Sequence, residues 1–338
     1  MHTIHNEGKG KNMWPKVRGH EQNKAVLSQF LQGERATPAL LFYGPAGVGK
    51  RYLAEQFAKS FLCQKDPEIE DDCPSCRAFK AGTHPDFIKV AQLAPGKEIL
   101  IEQIKEMSRQ ASYAPTLSTH KVCIIDGADF MKAAAANSLL KLLEEPPDFW
   151  LFILIATDVN RLLPTILSRV ISRRFDGLAA AEVTEILAEK QVENADILAN
   201  LASGSPGKAL ELNSFDALMW RERAMYVLEH SRESQVMQFI NDLAWLEKIS
   251  MPEGLLFLEM MLLILRDGLF SKEHIDGSFF NEDLLIRIDD CFGNWSNKNI
   301  EKLVKIVGDS YRGIAAKTGS KAVLEALILR INELRKED

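Results

Sequence analysis

The sequence predicts an α/β domain built on a parallel sheet, followed by an all-α C-terminal region. Three observations carry that reading. The stretch Gly44-Pro45-Ala46-Gly47-Val48-Gly49-Lys50-Arg51 lies between an apolar run, Ala39 to Tyr43, and the start of a helical pattern, the strand–loop–helix setting of a phosphate-binding loop. From that loop to Phe175, short apolar runs alternate with helical periodicities, as parallel strands joined by crossover helices do. Beyond Phe175 the strand patterns stop.

Taken in order, residues 1–13 are polar and read as a disordered tail, with Met13 as an alternative start. Ala39 to Tyr43 is a buried strand. The loop after it matches G-x-x-x-x-G-K-[ST] through Lys50, but Arg51 replaces the hydroxyl that would hold Mg²⁺. The backbone of Gly44, Gly47 and Gly49 and the positive end of the next helix can still cradle phosphate, and Lys50 supplies a point charge. Gly82-Thr83-His84-Pro85-Asp86 is a turn into a short strand, Phe87 to Val90. Ile101 to Ser112 has helical spacing, with Ile101, Ile104, Met107 and Ser108 on one face. Lys121 to Asp126 is a strand ending in a carboxylate, and Ala133 to Glu145 is a helix with Leu139, Leu140, Leu142 and Leu143 inward, stopped by Pro146-Pro147. Trp150 to Ala156 and Val170 to Phe175 are strands, and the segment Leu162 to Ser168 between them carries a short helix started by Pro164. Ligands bind at the carboxyl ends of such strands, where the glycine loop, Asp126 and Thr157 all fall, with Asp129 close by.

Ala179 to Ser203 reads as small helices, followed by Gly204-Ser205-Pro206-Gly207, and from about Phe215 the pattern is helical to the end. Val323, Leu324, Leu327, Ile328, Ile331 and Leu334 form one apolar stripe. Such a region either packs against partners or closes its own core, and periodicity does not choose between them. A length of 338 residues supports two or three domains. The net charge of −6 argues against a broad basic nucleic-acid footprint while leaving room for a local stripe. The densest apolar run, Leu255 to Leu265, contains Glu259 and is too short to span a bilayer. With no signal peptide visible, the chain is predicted to be soluble and cytoplasmic.

Five cysteines in that setting disfavour structural disulfides. Cys63, Cys73 and Cys76 cluster in a turn-rich insertion (63–86) with Asp71, Asp72, Pro74 and Ser75, the setting of a small zinc knuckle. A closed structural zinc site takes four ligands, and the natural fourth position holds Phe79. His84 is the other candidate, although a lone His before Pro85 is commonly a loop residue. Two readings stay open: zinc on the three thiols, or a relic knuckle packed by Phe79. Cys123 and Cys291 read as inert core thiols.

The stretch Ala136-Asn137-Ser138-Leu139-Leu140-Lys141-Leu142-Leu143-Glu144-Glu145-Pro146-Pro147 is similar to the A-N-x-L-L-K-x-L-E-E-P-P signature of bacterial clamp-loader subunits. Together with Gly82-Thr83-His84-Pro85-Asp86, Leu167-Ser168-Arg169 and Gly204-Ser205-Pro206-Gly207-Lys208-Ala209-Leu210, it resembles the delta-prime subunits of DNA polymerase III, within the AAA+ family. The resemblance runs from about Trp14 to Leu210. It implies a RecA-like ATP-type domain (14–178), a small helical lid (179–212) and a helical collar (213–338). It further implies a hetero-pentameric ring with delta and gamma/tau subunits that places a sliding clamp on primed DNA. In that family a Ser-Arg-Cys motif offers an arginine to the neighbouring subunit's nucleotide; here it reads Ser168-Arg169-Val170. The alternative for Arg169 is an ordinary surface ion pair.

The chain departs from an active ATPase at three places: Arg51 at the metal-binding hydroxyl, Gly127 where a water-polarising carboxylate should follow Asp126, and Gly207 where the lid's arginine should stand. Metal ligand, carboxylate and lid cation are separate contributions to phosphoryl transfer, so no intrinsic ATPase is expected, with ATP binding weak or absent. The expected role is that of a silent stator in a DNA polymerase holoenzyme. An active motor subunit would carry all three groups. A lone P-loop kinase gives no reason for the Ser-Arg pair, and a plain DNA binder does not suit the acidic balance.

Overall fold

A computed structural model of the chain describes residues 14–33, 39–65, 72–94, 96–230, 236–275, 277 and 279–337. The tail 1–13 and Asp71 of the insertion lie outside the described residues. The chain separates into two compact units, Met1–Glu182 and Val183–Asp338.

The first unit contains β1 (Ala39–Tyr43), β2 (Phe87–Ala91), β3 (Lys121–Asp126), β4 (Trp150–Ala156) and β5 (Ile171–Arg174). Among the described residues they form one parallel five-stranded sheet in the order β2-β3-β4-β1-β5. Helices α1 (Glu21–Leu31), α2 (Lys50–Leu62), α3 (Pro74–Lys80), α4 (Ile101–Ala111), α5 (Ala133–Glu144) and α6 (Pro164–Leu167) join and flank the strands. Side chains alternate across the sheet, and both faces are covered. Leu40, Phe42, Ile153 and Ile155 pack with Leu53 and Phe57 of α2, while Leu41, Phe152 and Leu154 pack with Ile104 and Met107 of α4 and Leu139 and Leu143 of α5. Burial on both faces is why β4 reads as an unbroken apolar run with no polar alternation.

β5 is shorter than the predicted Val170 to Phe175. As an edge strand paired only to β1, it alternates half-buried and exposed residues. In α5, Leu139 and Leu143 point fully inward, whereas Leu140 and Leu142 are only half-buried, because one helical face cannot hold all four. The β1–β2 crossover carries the chain from beside β4 to the far edge of the sheet, so the order reverses at β1 and β4. This is the place where such sheets open a crevice.

The second unit is built of helices among its described residues. Helix Met251–Lys272 opens on a capping box, with Ser250 N donating to Glu253 Oε2 at 2.8 Å, and buries Phe257, Met260, Met261, Ile264 and Leu265. The stripe Leu324, Leu327, Ile328 and Ile331 on the last helix is buried within this unit, so it closes the unit's own core. No described helix is long and apolar enough to cross a membrane.

Candidate nucleotide cavity, arginine edge and cysteine cluster

The loop from Gly44 to Gly49 wraps the start of α2 beneath a cavity of about 490 Å³, lined by Gly47, Gly49, Lys50, Arg51, Asp126, Gly127, Asp129 and Thr157. Three strand ends predicted to converge are therefore brought together. Gly44 is required by geometry: its φ is 140°, and a Cβ there would lie 2.0 Å from the Phe175 carbonyl oxygen. Lys50 folds back, its ammonium donating to the Gly44 and Pro45 carbonyls at 2.6 and 2.5 Å. Burial pulls its pKa down, opposed by Asp126 and Asp129.

Arg51 does not point away from this corner. Its Nη1 lies 3.6 Å from Asp126 Oδ2, and its Nε donates to Glu55 Oε1 at 2.9 Å. Lys89 of β2 reaches the same Glu55 oxygen at 2.6 Å. Two cations and two carboxylates thus balance one another where a hydroxyl–Mg²⁺–carboxylate arrangement would otherwise sit. Burial raises the Asp126 pKa, with Arg51 and Lys89 opposing. For Glu55 burial acts in the same upward direction, but the hydrogen bonds from Lys89 and Arg51 outweigh it and hold the carboxyl below its ordinary value. Gly127 has φ 85°, in the left-handed region that side chains rarely adopt, so a glutamate at this position would strain the backbone. Asp129 is buried and braces the loop after β4, Oδ2 accepting from Thr157 N, Thr157 Oγ1 and Asp158 N at 3.1, 2.6 and 3.1 Å.

Arg169 follows α6 in the same unit and is held at three points. Its Nη2 donates to Glu144 Oε1 at 2.8 Å, and its Nη1 to the Thr165 carbonyl at 2.9 Å and to Ser168 Oγ at 3.2 Å. Ser168 in turn donates to the Thr165 carbonyl at 3.0 Å. The guanidinium side chain remains one-third exposed. Both of the readings left open for it have a geometric basis: it makes an ion pair, and it stays accessible.

In the second unit, Ser205 caps helix Pro206–Ser214, Gly207 lies in its first turn, and Lys208 pairs with Glu259 at 3.1 Å.

The Gly82–Asp86 turn is an internal brace. Asp86 is fully buried and accepts from the backbone N–H groups of Thr116, Leu117 and Ser118 at 2.7, 2.7 and 2.8 Å. His84 is a loop residue, as expected of a histidine before Pro85, but a buried one, and its ring is engaged by Ser75 and Asp86 and not by the cysteine cluster. Its Nδ1 accepts from Asp86 N at 3.1 Å, so Nε2 carries the proton and donates to Ser75 Oγ at 2.8 Å. Ser75 and Ser118 both donate to the Leu62 carbonyl at 2.7 Å, tying the turn to the end of α2.

Cys63 at the end of α2, Cys73 at the N-cap of α3 and Cys76 in its first turn gather their sulfurs within 4.8 Å of one another. The Sγ separations Cys63–Cys76 and Cys63–Cys73 are 3.6 and 4.0 Å. The edge of a tetrahedron around Zn²⁺ with Zn–S of about 2.3 Å is ~3.8 Å, so both separations match such an edge and the three thiols could hold a metal such as zinc. Phe79 packs its ring 4.6 Å from that of Phe87, tilted by 39°, and is engaged by the adjoining core.

Several contributors escaped the sequence. Glu55 is visible only as the i+4 partner of Arg51, Lys89 arrives from another strand, and Glu144 lies within a recognised motif without an assigned role. His20 sits behind the loop with Nε2 2.7 Å from the Val48 carbonyl and its ring 4.8 Å from Phe175, a contact that no local pattern announces.

The chain is similar to known proteins. The family model described as "DNA polymerase III, delta subunit" matches residues 19–179. DNA polymerase III subunit delta' of Bacillus subtilis is 30% identical over 319 residues, covering 91% of this chain and 94% of that protein. The delta' subunit of Pseudomonas aeruginosa is 35% identical over 196 residues, which are 56% of this chain and 60% of that protein. Among solved structures, a DNA polymerase III gamma subunit-related protein from Thermotoga maritima aligns with a TM-score of 0.51 at 18% identity, covering 92% of this chain and 99% of that one, a likeness of fold.

Proposed function

The chain belongs to the delta-prime family of DNA polymerase III, the AAA+ clamp-loader subunits, and on that premise we propose that it serves in DNA replication as a catalytically silent stator. In this reading it joins delta and gamma/tau subunits in a five-membered ring, and its Arg169 completes the nucleotide site of a neighbouring motor subunit while the ring loads a sliding clamp on primed DNA. The collar (213–338) supplies the ring contacts and the segment 179–212 acts as the lid.

The observation that carries the silent half is the Arg51–Asp126 contact at 3.6 Å. Phosphoryl transfer needs a metal bridging the terminal phosphates and a group orienting the nucleophile. A guanidinium fills the first place, and Gly127, with φ 85°, fills the second. Lys50 and the glycine loop retain an anion cradle, so nucleotide binding, weak or absent in this reading, is separate from turnover. The active half rests on Arg169 being held in place yet one-third exposed. A guanidinium with donors to spare stabilises charge developing on a transferring phosphoryl group.

Reconstitution tests the whole reading. The isolated chain should release no phosphate from ATP, and adding it to the other loader subunits, clamp and primed DNA should raise their ATPase. Phosphate release by the isolated chain that disappears with Lys50→Ala would overturn the stator assignment.

A further inference from the structure

Glu144 is the last residue of α5, and it stands where a carboxylate should be unfavourable. The C-terminal end of a helix carries partial negative charge, and anions there are destabilising. Glu145 and two prolines follow, and the helix's own last turn offers one cation, Lys141. The hydrogen bond to the carboxylate comes from 25 residues away: Arg169 donates through Nη2 to Glu144 Oε1 at 2.8 Å. α5 itself is anchored by buried Ala135, Ala136, Leu139 and Leu143, which fixes the carboxylate relative to the sheet. Arg169, by contrast, follows a four-residue helix, and its guanidinium hangs on a long, freely rotating side chain.

We propose that Glu144 is the positioning residue for Arg169, fixing the direction of the guanidinium before a neighbour's phosphates arrive. The assignment rests on the reading of Arg169 as a finger. Of the five N–H donors of an arginine, one is taken by Glu144 and two by Thr165 O and Ser168 Oγ among the described residues. The remaining two project from a side chain that is already oriented, so less rotamer freedom is lost when a polyanion binds. Glu144 acts only through Arg169 and touches no phosphate itself.

The test uses the fully assembled loader with saturating ATP, clamp and primed DNA. Glu144→Ala should lower turnover at the site Arg169 serves about two- to five-fold, the range that an exposed ion pair supports, and so lower the loader's total rate by less than Arg169→Ala does. Glu144→Gln keeps an oxygen acceptor and should fall between wild type and Glu144→Ala, and its deficit should shrink at high salt. Glu145→Ala, the adjacent carboxylate, should leave turnover unchanged. In an Arg169→Ala background, Glu144→Ala should cost nothing further, which a merely structural role would not produce. Wild-type turnover in Glu144→Ala, or an equal loss in the Arg169→Ala background, overturns the assignment. Should Glu144→Ala fail to assemble, a Glu144→Gln loader with wild-type rate overturns it equally. If Arg169→Ala itself has wild-type turnover, the finger reading fails; if Arg169→Ala is impaired and Glu144→Ala is not, only the assignment of Glu144 falls.

Discussion

Arg51 Nη1 and Asp126 Oδ2 face each other across 3.6 Å at the mouth of the glycine-loop cavity, with Arg51 Nε bonded to Glu55 at 2.9 Å. One substitution thereby does two things: it removes a hydroxyl ligand for Mg²⁺ and installs a permanent cation beside the carboxylate that would hold the metal. Burial alone would push Asp126 towards the neutral form, and Arg51 opposes that shift.

Replacing Arg51 with Thr should therefore expose Asp126 to divalent metal. Calorimetry with ATP should show binding to Arg51→Thr that depends on Mg²⁺, while the wild-type chain shows no gain from the metal. Turnover should stay at background in both, because Gly127 still cannot orient water. Identical titrations of Arg51→Thr with Mg²⁺ and with EDTA would remove Arg51 from this role.

Arg169→Ala should leave folding and assembly intact, since the side chain is one-third exposed and its ion pair is worth at most about 1 kcal/mol. The assembled loader's ATPase should nevertheless drop. An arginine finger is worth on the order of 10³–10⁵ at the site it serves, but only one of several sites depends on this residue, so the total loss is partial. Arg169→Lys should rescue poorly, because a point charge does not reproduce the guanidinium fork. Wild-type rates for Arg169→Ala complexes at saturating ATP, clamp and DNA would return Arg169 to an ordinary structural ion pair.

Metal analysis of the purified chain should find one equivalent of zinc, lost in Cys73→Ser. Structural zinc contributes directly to folding free energy, so that variant should melt several degrees lower with the strand core unchanged by circular dichroism. A metal-free wild type whose melting is unaltered by Cys73→Ser would leave a relic knuckle.

His84 makes stability depend on pH. Burial holds its pKa below the ordinary 6.5, with Asp86 opposing. The folded state therefore binds this proton less readily than the unfolded chain. The contribution is complete above about pH 6.5 and is lost as pH falls from there through the folded-state value. His84→Gln should flatten that limb of the denaturant midpoint against pH. It should also cost roughly 1–3 kcal/mol at neutral pH by leaving the buried Ser75 hydroxyl and the Asp86 N–H poorly paired. An unchanged pH profile in the variant would assign the acid limb to other groups.

By itself the sequence determined the sheet, because strands covered on both faces must be apolar without interruption and β1, β3 and β4 are. It also determined that the loop carries Arg51 in place of a hydroxyl and Gly127 in place of a carboxylate, since these follow from residue identity alone. Tertiary structure decided where charge is balanced. Lys89 meets Glu55 across 34 positions and Glu144 meets Arg169 across 25, and no periodicity encodes a pairing between separate elements. His84 shows the same limit: a histidine before proline reads as a loop residue, and its burial follows only when α2, α3 and the segment after α4 close around it. Local patterns report which face of an element is buried; which polar groups then meet depends on how the elements pack, and a buried donor must find its acceptor wherever the fold brings one.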